Sequence, residues 1–228
     1  MGIRITAVRG GDVAPRRDGQ RQIRQRRAVD FSLGSWSNAS SFFVLGIEHI
    51  RFGPDHLLFL LVLTLTVASS SITAGSTWRS LKLVTAFTIG HAGSLCLDYF
   101  DLIPVSAAIV EPAISLSIVA AAALAIWGRA GDARPWIAAI IGVVHGLGFA
   151  SSLSSVGVAT TQRAPALAAF NVGIDIAQSV VILVVLAALW LASKALANRM
   201  EWVTIPTAAF AGMIGLAWTV TRLSSFSF

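Results

Sequence analysis

The sequence is poor in the residues that dominate soluble domains. Only 12% of its 228 residues are charged, about half the roughly 25% typical of soluble globular proteins. It contains one cysteine, Cys96, which excludes an internal disulfide framework and a metal site built on several thiolates. It also lacks a phosphate-binding loop, a Gly-x-Ser-x-Gly elbow and a His-Glu-x-x-His motif. These absences argue against a nucleotide-driven protein and against the common soluble hydrolases.

What the sequence has in abundance is long apolar runs. Hydrophobic residues make up 55% of the chain, and a bilayer core needs about 20 consecutive apolar residues per helix. Six runs meet this requirement: 54–70, 80–100, 107–127, 135–156, 165–191 and 203–223. The short connections between them predict antiparallel neighbours. The predicted fold class is therefore all-α, a polytopic membrane helix bundle with about six transmembrane helices.

A shorter apolar stretch precedes the first run. Residues 40–52 include three ionisable side chains and are followed by Gly53 and Pro54. Proline suits the first turn of a helix and disrupts an interior. We therefore predict a half-helix before the first span, a break at residues 51–53, and a new helix from Pro54. An interfacial helix that leads into an ordinary span is an equally weighted alternative.

The N-terminal segment differs in composition from the rest of the chain. Eight of the 17 basic residues lie in the first 27 positions. We predict a basic, disordered tail over residues 1–34, and a single transmembrane bundle domain over residues 35–228. Because the remaining basic residues are mostly at helix ends, the pI near 11 does not predict specific nucleic-acid binding. The expected partners are membrane lipid and a metal ion, with homo-oligomerisation left open.

Loop charges predict an orientation. The loops after the first, third and fifth spans carry six basic residues: Arg79, Lys82, Arg129, Arg134, Lys194 and Arg199. The positive-inside rule places these odd-numbered loops in the cytoplasm. We expect the protein itself to lie in the inner membrane of a bacterium. A six-span arrangement then leaves the arginine-rich tail outside, which the same rule disfavours. Residues 35–52 crossing as a seventh pass is the alternative.

All four histidines lie in the membrane portion. His91 and His145 fall near the centres of the second and fourth runs, whereas His49 and His56 flank the proposed break. An unbroken helix would separate His49 from His56 by about 10 Å. The break would let them share one ion, and imidazole is a good ligand for nickel, zinc, copper and iron.

Acidic and amide side chains accompany the histidines. Asp55 adjoins His56, Glu111 begins the third run, and Asp175 is in the middle of the fifth. An Asp at the bilayer centre costs about 2.5–3.5 kcal/mol on insertion scales, so we expect each acid to be compensated. Asn171, Asp175 and Gln178 share one helical face. We expect that face to point inward.

Each of these residues also has a structural interpretation. A single histidine inside a membrane often only hydrogen-bonds between helices. Glu48 is either a supporting partner of the site or an interfacial residue. Ser94 follows His91 by three residues, which could form a nucleophile–base pair, although serine is common in membrane helices.

Four stretches resemble the HupE/UreJ family of hydrogenase and urease accessory membrane proteins. The first runs from Gly46 to Leu60 and contains a His followed after five residues by Asp-His. The others are Thr85-Ala86-Phe87-Thr88-Ile89-Gly90-His91, His145-Gly146-Leu147-Gly148-Phe149-Ala150 and Phe170-Asn171-Val172-Gly173-Ile174-Asp175-Ile176-Ala177-Gln178. The resemblance covers residues 42–190 and implies a nickel or cobalt permease, with His49, Asp55, His56, His91 and His145 on the metal path.

The resulting hypothesis is a transporter rather than an enzyme. In this hypothesis the protein is a secondary permease for a divalent ion. Ni²⁺ is the leading candidate substrate, and Co²⁺ and Zn²⁺ are the alternatives. The metal site combines the four histidines with Asp55, Asp175 and Glu111, and Asn171, Gln178, Glu48 and Ser94 support it. A membrane-embedded metal hydrolase and a non-catalytic assembly subunit are the rival hypotheses.

Overall fold

The computed structural model describes residues 35–68, 74–99, 102, 106–127, 134–148, 163–196 and 199–225. These residues form seven helices and no strand. The helices are α1 Ser35–Phe52, α2 Pro54–Ala68, α3 Ala74–Tyr99, α4 Ala107–Trp127, α5 Pro135–Leu147, α6 Arg163–Ala195 and α7 Glu201–Ser225. The described residues from Ala39 to Phe228 belong to one compact unit. The predicted tail 1–34 lies outside the described residues.

Helices α1 and α2 form one bent pair. Gly53 alone separates them, and their axes differ by 70°. Pro54 is the first residue of α2, where its missing N–H leaves no helical hydrogen bond broken. The Gly53 N–H still donates to the Ile50 carbonyl at 3.3 Å, and the Gly53 carbonyl accepts from the Leu57 N–H at 3.1 Å. The predicted break before Pro54 is therefore confirmed, and it is confined to Gly53.

Four of the described helices are long and apolar enough to cross a bilayer, namely α3, α4, α6 and α7, and the α1–α2 pair is a fifth if it is one span. The described part of α5 has 13 residues and is too short to span alone. Residues 149–156, the rest of that predicted run, lie outside the described ranges. The all-α membrane bundle is confirmed, and four or five spans lie in the described residues.

Helix α2 lies at the centre of the bundle. It contacts α3, α4, α6 and α7, and its side chains at Phe59, Leu60, Val62 and Leu65 are almost fully buried. Around it, α3 packs most extensively against α5, and α4 against α7. The first turn of α2, which carries Asp55 and His56, is therefore within reach of side chains from several helices.

Glycines bring α3 and α5 into backbone contact. A Cβ added at Gly90 would overlap the carbonyl oxygen of Ala139, and one added at Gly142 would overlap that of Phe87. Only glycine permits so close an approach of two helices. His91 follows Gly90 directly and His145 lies three residues after Gly142, so both histidines belong to this part of the α3–α5 interface.

Close backbone contacts at glycines also join α1 to α6. A Cβ at Gly46 would overlap the carbonyl oxygen of Phe170, and a Cβ at Gly173 would overlap that of Phe43. His49 lies one helical turn after Gly46, and its ring is 5.6 Å from the ring of Phe170. The close α1–α6 contact therefore positions the third histidine.

Two neighbouring glycines of α3 provide a matched test of this packing. Gly90→Ala should lower stability by about 1–3 kcal/mol because the new methyl group has no room. A Cβ at Gly93 meets nothing within 4 Å, so Gly93→Ala should be neutral, or stabilising by up to about 1 kcal/mol through helix propensity. Thermal unfolding of the purified proteins in detergent measures the difference. Equal midpoints for the two variants would contradict the close α3–α5 contact.

Candidate metal centre

The four histidines converge on one place in the bundle. The His56 ring is 4.6 Å from His49, 5.1 Å from His145 and 5.8 Å from His91, measured between ring centroids. His49 and His91 are also 5.8 Å apart. Four different helices, α1, α2, α3 and α5, each contribute one imidazole. We refer to these four side chains as the histidine cluster.

The histidine cluster is buried in an apolar environment. His56, His91 and His145 expose 7%, 0% and 1% of their surface, and His49 is half-buried. The rings of Phe59 and Phe87 lie 5.3 and 5.2 Å from His145. Electrostatic interactions between a cation and its ligands would be stronger in this buried cluster than in water, because the effective dielectric constant is low.

Most of the deep ring nitrogens have no hydrogen-bond partner among the described residues. These are Nε2 of His56, both nitrogens of His91 and Nδ1 of His145. Leaving a buried polar atom unpaired costs about 1–3 kcal/mol, so four such atoms in one cluster require an explanation. A neutral imidazole has one lone pair, so a bound cation would accept one from each of the three rings, and the second nitrogen of His91 would carry the hydrogen.

The spacing of the rings fits shared coordination. Metal–nitrogen bonds of about 2.0–2.1 Å place the centroids of neighbouring imidazole ligands about 4.5–5.5 Å apart, close to the observed 4.6–5.8 Å. As placed, no three His, Cys, Asp or Glu side chains in the described ranges already form a group that could hold an ion.

Gly53 makes the approach of His49 and His56 possible. A Cβ at this position would lie 2.5 Å from the His49 carbonyl oxygen and 3.0 Å from Nδ1 of His56. Any larger residue would push the two histidines apart. The break between α1 and α2 thus serves the histidine cluster directly.

Ser117 of α4 determines which nitrogen of His145 is available. Its hydroxyl lies 2.6 Å from the Ile114 carbonyl, to which it donates, and 3.0 Å from Nε2 of His145. A hydroxyl has one hydrogen, so Ser117 must accept from a protonated Nε2. The neutral ring then has its lone pair on Nδ1, the nitrogen that has no partner. A partner that fixes the tautomer in this way is typical of metal-binding histidines.

Asp55 lies beside the cluster but is paired with an arginine. Its Oδ2 is 2.8 Å from Nη2 of Arg222 in α7, and its Oδ1 is buried without a partner among the described residues. Arg222 also donates from Nη1 to the Glu111 carbonyl at 3.0 Å. Asp55 therefore belongs to an ion pair at the edge of the site, with one oxygen still available.

The other predicted acids lie on exposed surfaces of the chain. The side chains of Glu48, Glu111 and Asp175 are all exposed. For Asp175 this corrects the expectation of an inward-facing Asn171–Asp175–Gln178 face. The buried residues of α6 follow an i, i+4 row, namely Phe170, Ile174, Gln178, Ile182 and Leu186. Asp175 lies next to this row rather than on it.

One amide side chain of α6, that of Gln178, contacts α3 close to His91. Gln178 is fully buried and its Oε1 accepts from Thr88 at 2.8 Å. Thr88 is one helical turn before His91, and Asp175 is within hydrogen-bonding reach of Thr88. Asn171 donates to the Leu167 carbonyl at 2.8 Å. None of these hydrogen bonds reaches a ring of the histidine cluster.

The suggested Ser94–His91 nucleophile–base pair is not formed. Ser94 donates to the His91 backbone carbonyl at 3.1 Å, and neither ring nitrogen of His91 has a partner among the described residues. Serines in helices commonly bond back to the preceding turn. The described contacts therefore give Ser94 no histidine base.

Two functional candidates, Ser117 and Arg222, were not predicted. Ser117 gives no signal, because serine is common in membrane helices. Arg222 falls inside the predicted run 203–223, and a cation inside a span requires an acidic partner.

A protein-family model described as HupE / UreJ protein matches residues 25–222 of the chain. The chain belongs to the HupE/UreJ family. This confirms the resemblance of the four sequence stretches. At the level of the family, a metal-transport role is consistent with this membership. No curated protein and no solved structure matches the chain.

The Ser117 contact predicts an effect on metal affinity. Ser117→Ala should weaken Co²⁺ binding about tenfold or more, the usual cost of removing a partner that orients a histidine ligand. Ser94→Ala is the matched control, because its hydroxyl bonds only a backbone carbonyl in this region. Titration of the purified protein with Co²⁺, followed by visible absorption, measures both. Equal affinities for the two variants would count against the tautomer assignment.

Proposed function

We propose that this HupE/UreJ protein is a secondary permease for a divalent transition-metal ion, with Ni²⁺ as the leading substrate and Co²⁺ as the alternative. The observation that carries the proposal is the histidine cluster, in which four nitrogens of His56, His91 and His145 have no partner among the described residues. Burying these groups is unfavourable unless something binds them. A permeating ion would compensate them each time it passes.

The donor set supports a borderline metal. Imidazole nitrogens suit nickel, cobalt and zinc, whereas Mg²⁺ and Ca²⁺ require mostly oxygen ligands. The single cysteine, Cys96, cannot supply the several thiolates that a soft ion such as Cu⁺ prefers. The association of the family with nickel and cobalt favours these two ions over zinc.

The positions of the histidines suggest an order of contact. His49 is half-buried at the end of α1, and His56 lies between it and the deeper His91 and His145. An ion would meet His49 and His56 at the helix break first. Breaks of this kind occur in transporters where helix ends and side chains face a binding site.

Several further properties belong to the same proposal. A nucleotide-binding motif is absent from the sequence, so transport would depend on an ion gradient or on a partner. We place the protein in the inner membrane of a bacterium with the odd-numbered loops in the cytoplasm, following the basic residues of those loops. The exposed Asp175 would be compensated by lipid headgroups, by water or by a second copy of the chain.

Uptake measurements test the proposal. In proteoliposomes, His56→Ala should reduce the accumulation of radioactive nickel to the level of empty vesicles, because His56 contacts all three other imidazoles. Thr85→Ala is the control, since Thr85 is an exposed residue of α3, and its accumulation should match that of the wild type.

Unchanged accumulation by His56→Ala would rule out the role given to the cluster. A wild-type protein that neither transports nor binds a divalent ion at neutral pH would favour the assembly-subunit hypothesis. Tightly retained zinc accompanied by turnover of lipid would instead favour a hydrolase.

A further inference from the structure

Arg222 joins three helices at the edge of the histidine cluster. From α7, its Nη2 is 2.8 Å from Oδ2 of Asp55 in α2, and its Nη1 donates to the Glu111 carbonyl in α4 at 3.0 Å. Its guanidinium also lies 5.7 Å from the ring centroid of Trp218. Such a forked arrangement fixes the cation in one place.

The ion pair is next to the proposed metal path. Asp55 directly precedes His56, and its second oxygen, Oδ1, is buried without a partner among the described residues. Arg222 is also close enough to His145 for the two to interact electrostatically. The carboxylate that binds the resident cation of Arg222 therefore has a second oxygen without a partner among the described residues, one position before His56 of the cluster.

Charge balance makes the two cations competitors. Four neutral imidazoles supply no negative charge to a divalent ion, and an uncompensated charge in a low-dielectric interior is costly. Asp55 could provide compensation, but its charge is already neutralised by Arg222. Both side chains keep partial exposure, 18% for Asp55 and 23% for Arg222. Water can therefore solvate the guanidinium when the pair opens.

We propose that Arg222 occupies Asp55 between transport events and that the arriving divalent cation displaces it. This inference rests on the proposed function and names a regulation of the same site. Arg222 is a positioning residue that acts through Asp55. Its return to the carboxylate weakens the hold on the ion and promotes release. The expected consequence is fast turnover in exchange for moderate affinity.

Removing the competing cation should separate affinity from rate. Arg222→Gln should lower the KM for nickel about tenfold, since a competing charge at close range is lost, and should also lower the maximal rate because release becomes slower. Co²⁺ binding to the purified protein, followed by absorption, should tighten by a similar factor. Arg222→Lys keeps a cation without the fork, so its affinity should lie between those of Arg222→Gln and the wild type.

If Arg222 competes for Asp55, the tightening of Co²⁺ binding by Arg222→Gln must depend on Asp55. Adding Arg222→Gln to Asp55→Asn should tighten Co²⁺ binding by a clearly smaller factor than in the wild-type background. Equal tightening in both backgrounds would overturn the exchange, because it would show only general repulsion by Arg222. Weaker or unchanged Co²⁺ binding in Arg222→Gln, with a lowered unfolding temperature that Arg222→Lys restores, would also overturn it in favour of a structural tether.

The result stays distinct from failure of the proposed function. If wild-type protein transports nickel and His56→Ala abolishes transport, the permease stands whatever Arg222→Gln does. Should Arg222→Gln not fold, Arg222→Lys carries the test. Tighter Co²⁺ binding than in the wild type supports exchange, and equal or weaker binding contradicts it.

Discussion

The interior of this bundle holds more imidazole nitrogens than its described residues can hydrogen-bond. His56, His91 and His145 are almost completely buried, and among them four ring nitrogens have no partner in the described part of the chain. A stable apolar interior disfavours such groups. Their arrangement is understandable if their partner is a passing cation, which makes the unsatisfied state a condition of function and not a packing fault.

The rest of the architecture serves to assemble these rings. The α1–α2 break lets two histidines seven residues apart come within 4.6 Å, and Gly53 leaves room for both. Backbone contacts at Gly90 and Gly142 hold together the parts of α3 and α5 that carry His91 and His145, and the contact at Gly46 holds the part of α1 that carries His49 against α6. Each contact requires the absence of a side chain. The glycine positions are therefore part of the site, although none of them could bind an ion.

Much of this arrangement was predictable from the sequence. Apolar run lengths predicted the helices, and Gly53-Pro54 predicted the break, because both depend on local chemistry. The clustering of four histidines followed from the cost of burying each one alone. Asp175 was misplaced because helical periodicity cannot say which i, i+4 row faces the core. The Ser117–His145 bond and the Asp55–Arg222 pair join residues 28 and 167 positions apart, and only the packing of α4 and α7 against the centre brings them together.

The central claim is that the histidine cluster binds a divalent transition metal through several imidazoles at once. X-ray absorption spectroscopy of purified protein loaded with one equivalent of Ni²⁺ tests it most directly, since imidazole ligands produce a recognisable scattering pattern beyond the first coordination sphere. The account predicts nitrogen-rich coordination with three or more imidazoles, which is lost in His56→Ala. A spectrum with only oxygen ligands, or one unchanged by His56→Ala, would contradict it.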